Sequence, residues 1–188
     1  KNSIIYARDL WSYRYLKETL GLLNVFEAAD LAFLDLPQQM TVESPPSILE
    51  QCGLERTEYI TIVPSGLVQS YTSDWECYIL TWLDIILNLL NDQRLKAKKI
   101  VLLPHVLRPL SVDDRVVIRE IERRLTPKHK KRIVSIYDPL LPCQARLILG
   151  NGLFTITGRM HAAISTFQLG KPAVSISYSI KYQGVIEE

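Results

Sequence analysis

The chain has 188 residues, of which 47% are hydrophobic and 22% charged, and a net charge of +2. That is ordinary globular composition, enough for one full domain or one domain and part of a second, and the small positive balance gives no argument for nucleic acid. Cys52, Cys77 and Cys143 are odd in number, widely spaced and without a CxxC pair, which excludes a disulfide frame or zinc site and suits free thiols in a reducing compartment.

In chain order the pattern alternates between strand and helix. Ser3 to Ala7 (SIIYA) reads as a strand that begins almost at Lys1, so sequence upstream is expected. No secretory signal is visible in KNSIIYARDL. A helix through SYRYLKETLG stops at Gly21, and NVFEA is a short strand. PQQMTVESPPSILEQCG, with its prolines, reads as a linker. Glu58 to Val63 is the next strand, followed by a long helix in SDWECYILTWLDIILNLL. Its apolar stretch, Tyr78 to Leu90, carries Asp84 and Asn88 and is too short to span a bilayer, so it reads as a core helix.

Lys99 to His105 is again a strand. Ser111 and Asp114 precede VVIREIERRL in the manner of a capping box with Asp in place of Glu. RIVSIYD is a strand, PCQARLILG a short helix and LFTITG a strand. The last helix ends at Gly170-Lys171-Pro172, before a strand AVSIS with Val174 and Ile176 on one face. The expected fold is α/β, a Rossmann-like parallel sheet with helices on both faces.

The segment TITG-RMHAAISTFQLG turns from strand into helix, and in open α/β sheets ligands bind beyond the carboxyl ends of the strands. A helix start has unpaired N–H groups and the positive end of the macrodipole, so it favours anions. Gly158 would let a ligand approach the backbone, Arg159 offers a fork for phosphate or carboxylate, and His161 can donate or move a proton near neutral pH. Two potential cations in a first helical turn are electrostatically misplaced unless an anion joins them. A solvent-facing Arg and a structural His are the plainer alternative. No cluster of His, Cys and carboxylates suggests a metal.

GRMHAAIS followed by GKPAVSISYSIKYQGV resembles the C-terminal signature of the polysaccharide pyruvyl transferase family. YARDLWSYRYLKETLG, VFEAADLAFLD, YITIVPSGLV and VLLPHV with the later DDR are similar to further family segments in the same order, so the resemblance covers nearly the whole chain. Asp30 to Phe33 departs from it by having Leu in place of the usual Pro.

The resemblance implies the C-terminal lobe, plus the end of the N-terminal lobe, of a GT-B-like two-domain enzyme. Residues 1–40 would end the first lobe, 41–57 would link, and 58–188 would form the Rossmann-like domain with the Arg-Met-His site. The family's first, glycine-rich strand–helix units would lie upstream, and the chain alone would be incomplete as an enzyme.

The implied activity is transfer of a pyruvyl group from phosphoenolpyruvate to a sugar of a polysaccharide or glycan, forming a pyruvate ketal, with no cofactor. His161 would be the general acid or a phosphate donor. The implied donor-binding set is Arg8, Gly158, Arg159, Met160, Lys181, Ser65 and His105. Arg8 would close on the donor from the first lobe, or else pair with Asp9 or another carboxylate, with Asp9 favoured as a helix cap. Ordinary turn or loop roles stay open for Ser65, His105 and Lys181.

The implied acceptor is a sugar or lipid-linked glycan and the implied compartment the cytoplasm, with a peripheral contact at the inner membrane face left open. The basic run RRLTPKHKKR (Arg123 to Arg132) is compatible with such a surface but suits a solvated helix end better, and without interleaved aromatics it does not support nucleic acid. Two other classes remain: a GT-B-type nucleotide-sugar glycosyltransferase and a non-catalytic glycan-binding relative.

Overall fold

A computed structural model describes residues 3–36, 47–108, 112–179 and 182–186. The chain divides into two compact units, Lys1–Asp35 with Ser177–Glu188, and Leu36–Ile176. The C-terminal segment, expected with the second lobe, therefore groups with the N-terminal one.

In the first unit, strands β1 (Ile5–Ala7) and β2 (Val25–Glu27) pair in parallel, Tyr6 opposite Phe26. Helix α1 (Leu10–Arg14) starts at Asp9, whose carboxylate accepts the Ser12 N–H at 2.7 Å and the Ser12 hydroxyl at 2.8 Å, so Asp9 is the cap. The helix widens into a π-helical turn (Tyr15–Thr19) and ends near Gly21 at φ +66°, the left-handed conformation glycine accepts without cost. A short helix, α2 (Ile48–Gln51), is the first helix described in the second unit, and Ser47 caps it. Ile48, Leu49 and Leu54 are buried in the core, so this half of the expected linker is packed structure.

The second unit is built on a five-stranded, all-parallel sheet. Its strands are β3 (Tyr59–Val63), β4 (Lys99–Leu102), β5 (Ile133–Ser135), β6 (Thr155–Thr157) and β7 (Ala173–Ser175), in the order β5-β4-β3-β6-β7. Strand alternation divides the core. Ile60, Ile62, Ile100 and Leu102 face one way, onto α3 (Trp75–Asn91) and α4 (Asp114–Arg124) through Ile79, Trp82, Ile86, Val117, Ile118 and Ile121. Tyr59, Val63, Val101 and Leu103 face the other way, onto α2, α6 (Pro142–Asn151) and α7 (Met160–Gln168). Both faces of the central strands are covered, as their near-continuous apolar runs require.

Three local details depart from the sequence reading. Asp113, not Ser111, caps α4, its carboxylate accepting the Arg115 N–H at 2.9 Å; Ser111 lies outside the described residues. The basic run contains a short helix, α5 (Pro127–Lys130), with Thr126 as its cap and proline in its first turn. Val174, on edge strand β7, is 57% exposed, whereas Ile176 lies beyond the strand and packs against the core. A further short helix, α8 (Gln183–Ile186), belongs to the first unit. Among the described residues no helix is long and apolar enough to cross a membrane.

Candidate active site

Strand order reverses at β3, because the chain first builds outward through β4 and β5 and then returns to β3's other edge with β6. The carboxyl ends of β3 and β6 therefore flank the topological switch point, the crevice where such sheets bind ligands. Ser65 and Gly66 follow β3, and Gly158 and Arg159 follow β6. The Gly158 N–H donates to the Val63 carbonyl at 2.9 Å, extending the ladder one step past the strand. A Cβ on Gly158 would lie 3.3 Å from Ser65 Cβ, so the two turns touch.

Arg159 is the N-cap of α7, in extended conformation, and lends no side-chain bond to the helix start. Thr157 shapes the turn: its hydroxyl accepts the Arg159 N–H at 2.8 Å and donates to the Arg159 carbonyl at 3.1 Å. The Arg159 side chain then runs to Asp114, a wholly buried carboxylate at the start of α4. Its Nη2 lies 2.5 Å from Asp114 Oδ1 and its Nε 3.2 Å from the same oxygen and 3.3 Å from Oδ2. Nη2 also donates to the Val112 carbonyl at 3.2 Å. Nη1 makes no hydrogen bond among the described residues.

Arg159 lines a cavity of about 490 Å³ together with Leu67, His105, Val106, Leu107, Arg108 and Val112. Arg108 is exposed and makes no ion pair among the described residues. The pocket is thus lined by one buried guanidinium paired with Asp114 and by a second, exposed arginine. His105 lies at the same mouth, its pKa lowered from 6.5 to about 4, chiefly by burial; the Asp114 charge opposes the shift, and those of Arg159 and His161 add to it. At neutral pH its ring is therefore uncharged and meets an anion only through a neutral N–H.

His161 is exposed in the first turn of α7, close enough to His105 for its charge to be felt there. Met160, beside it, is buried. Ser65 is buried and its hydroxyl makes no hydrogen bond among the described residues, while its backbone is held by Tyr78.

Arg8, at the end of β1 in the first unit, donates to Asp30 at 2.6 Å, with Asp30 itself capping a short turn through the Ala32 N–H. Arg8 and Asp30 line a separate cavity with Asp9, Glu27 and Phe33. Lys181 lies outside the described residues. Among the described residues, no group of three or more His, Cys, Asp or Glu side chains is arranged to hold a metal.

Sequence reasoning missed three residues of this site. Asp114 was read as half of a capping box, since a carboxylate at a helix start is ordinary there. Arg108 carried one signal, its place just past the end of the β4 strand, the edge on which ligands bind. Thr157 carried none beyond being the residue before Gly158.

The family model described as polysaccharide pyruvyl transferase matches residues 1–180. No curated protein matches the chain. Among solved structures, a Methanocaldococcus jannaschii UDP-GlcNAc 2-epimerase in complex with UDP-GlcNAc and UDP is similar at 12% identity and a TM-score of 0.65, covering 97% of this chain and 47% of that one. A Listeria monocytogenes protein described as a UDP-N-acetylglucosamine 2-epimerase is similar at 14% identity and a TM-score of 0.63, over 91% of this chain and 40% of that one. The chain thus spans under half the length of these GT-B-like neighbours, and at such identities the likeness is one of fold. With the switch-point crevice, the Gly-Arg-Met-His turn and a family match over nearly its whole length, this chain belongs to the polysaccharide pyruvyl transferase family.

Proposed function

We propose that the chain contributes the donor-binding half of an enzyme that transfers a pyruvyl group from phosphoenolpyruvate to a sugar of a glycan, closing a pyruvate ketal across two hydroxyls. The observation that carries this reading is the crevice at the β3/β6 switch point. There Arg159, the N-cap residue of α7, and Arg108 both line one cavity of about 490 Å³. Phosphoenolpyruvate carries a phosphate and a carboxylate on one small carbon frame, and two guanidinium groups with a helix N-terminus suit that pairing.

In the proposed reaction a proton is delivered to the methylene carbon of the donor while a sugar hydroxyl bonds to the neighbouring carbon and gives up its own proton. The phosphate then leaves with its bonding electrons, and the second hydroxyl attacks the same carbon and loses its proton, closing the ring. His161, exposed in the first turn of α7, is the candidate proton donor, a role worth roughly 10²–10⁴-fold. Arg159 and Arg108 would hold the charge that develops on the departing phosphate.

The test is calorimetric titration of phosphoenolpyruvate into the full-length protein, with UDP-GlcNAc as the competing ligand. Arg108→Ala is the informative variant, because Arg108 is exposed and its loss leaves the buried pair intact. Saturable binding that Arg108→Ala weakens by roughly 10-fold or more supports the donor assignment. Tighter binding of UDP-GlcNAc would favour the glycosyltransferase reading, which the neighbour bound to UDP-GlcNAc and UDP keeps in play.

A further inference from the structure

We propose that Asp114 is a positioning residue for donor binding, acting through Arg159 by holding one edge of its guanidinium so that only Nη1 is offered to the incoming anion. This rests on the reading of the crevice as the donor site.

Asp114 is wholly buried, and a buried carboxylate is tolerated only when its lone pairs are satisfied. Here they are satisfied from several directions. Oδ1 accepts the Gly66 N–H at 2.7 Å, and Oδ2 accepts the N–H groups of His105 at 3.0 Å and Val106 at 2.8 Å. Arg159 supplies the charge-matched partner. One side chain therefore binds the turn after β3, the loop after β4 and the turn after β6, all at the carboxyl edge of the sheet.

The anchor is sterically specific as well. A Cβ on Gly66 would lie 2.7 Å from the Asp113 carbonyl oxygen and 2.9 Å from the Val112 carbonyl carbon. Only glycine lets the β3 turn lie this close to the start of α4.

A guanidinium has two usable edges, and a flexible one could lie flat on the protein or point elsewhere. Pairing of Nε and Nη2 with Asp114, and of Nη2 with the Val112 carbonyl, fixes the plane and leaves Nη1, on a side chain that lines the cavity, as the nitrogen without a hydrogen bond among the described residues. A lysine at position 159 could reach Asp114 or an anion, but its single ammonium could not hold both in this geometry.

The experiment uses the full-length protein, with isotope labelling to observe the Arg159 Nε–H resonance, and steady-state kinetics with phosphoenolpyruvate. In the wild type the Nε–H signal should be protected from exchange with water, and phosphoenolpyruvate should shift the Nη signals more than the Nε signal. Asp114→Asn should remove the protection and raise KM for phosphoenolpyruvate at least 10-fold, with a smaller change in kcat. Because Asp114→Asn risks misfolding, Arg159→Lys is the second variant; it should raise KM by a similar factor while the protein stays folded.

In the Arg159→Lys background, Asp114→Asn should add less than 3-fold, since its effect passes through the guanidinium. Multiplying effects, or wild-type KM in Arg159→Lys, would overturn the proposal. Loss of Nε–H protection in Asp114→Asn, with no response to phosphoenolpyruvate in any variant, would instead retain the orienting contact and sink the donor reading.

Discussion

Tyr78 and Ser65 exchange two hydrogen bonds: the phenol oxygen accepts the Ser65 N–H at 2.9 Å and donates to the Ser65 carbonyl at 3.0 Å. The turn leaving β3 thus has both its backbone groups satisfied by a side chain from the first turn of α3. Tyr78→Phe strands a buried donor and acceptor together, which costs about 1–3 kcal/mol. Chemical denaturation should show that loss, and phosphate binding at the crevice should weaken with it, because the next residue, Gly66, donates its N–H to Asp114.

The imidazole of His105 gives stability a pH dependence of definite sign. Its folded pKa lies at about 4, mainly through burial, while the unfolded chain takes up the proton near 6.5. Between those values the unfolded state binds more protons, so stability falls as pH drops through the window and is flat above it. The full effect is on the order of 3 kcal/mol. Urea midpoints measured from about pH 4 to pH 8 should trace it, and His105→Asn should flatten the trace in this range.

The basic run is only partly a solvated face. Arg132 donates to the carbonyls of Leu90 at 2.7 Å, Leu95 at 2.6 Å and Lys98 at 2.9 Å, closing the connection between α3 and β4. Arg124 pairs with Glu76 and Glu120. Arg132→Met should lower stability by about 2 kcal/mol through the orphaned carbonyls. Lys131→Met, nearby, should stay within about 0.5 kcal/mol, and thermal melts of the two variants decide it.

The three thiols should separate in an alkylation time course read by mass spectrometry. Cys77 is exposed and should react first. Cys143 is buried and should stay protected until the protein unfolds. Cys52 is half-buried, and burial, reinforced by the Asp138 charge, pushes its thiol pKa up, so at neutral pH it should lag Cys77.

The strands of the sheet were legible because buried parallel strands need unbroken apolar runs, and YITIV, KIVLL and RIVSI have few other readings. The Gly-Arg-Met-His turn was legible for a similar reason, since cations at a helix start demand an explanation. What the sequence hid is long-range. Asp114 and Arg159 stand 45 residues apart, and no local pattern says that a carboxylate at one helix start will reach an arginine at another. The short helix α5 was hidden by its own composition, because one turn of PKHK carries no apolar period. Arg8 was singled out correctly as a strand-end residue, yet its partner Asp30 sits beyond an intervening helix and strand, and only the fold brings them together.

Two of the three loops at the carboxyl edge give Asp114 a backbone N–H rather than a side chain, and the consequence is a particular pattern of mutational tolerance. At His105 and Val106 the anchor is blind to side-chain identity, so a saturation library should accept varied residues there without loosening the edge. Proline, which has no N–H to give, is the exception at both. Gly66 is the reverse case, where the N–H survives any other substitution but the missing Cβ does not. The crevice can therefore change its lining, while the carboxylate that shapes it stays fixed.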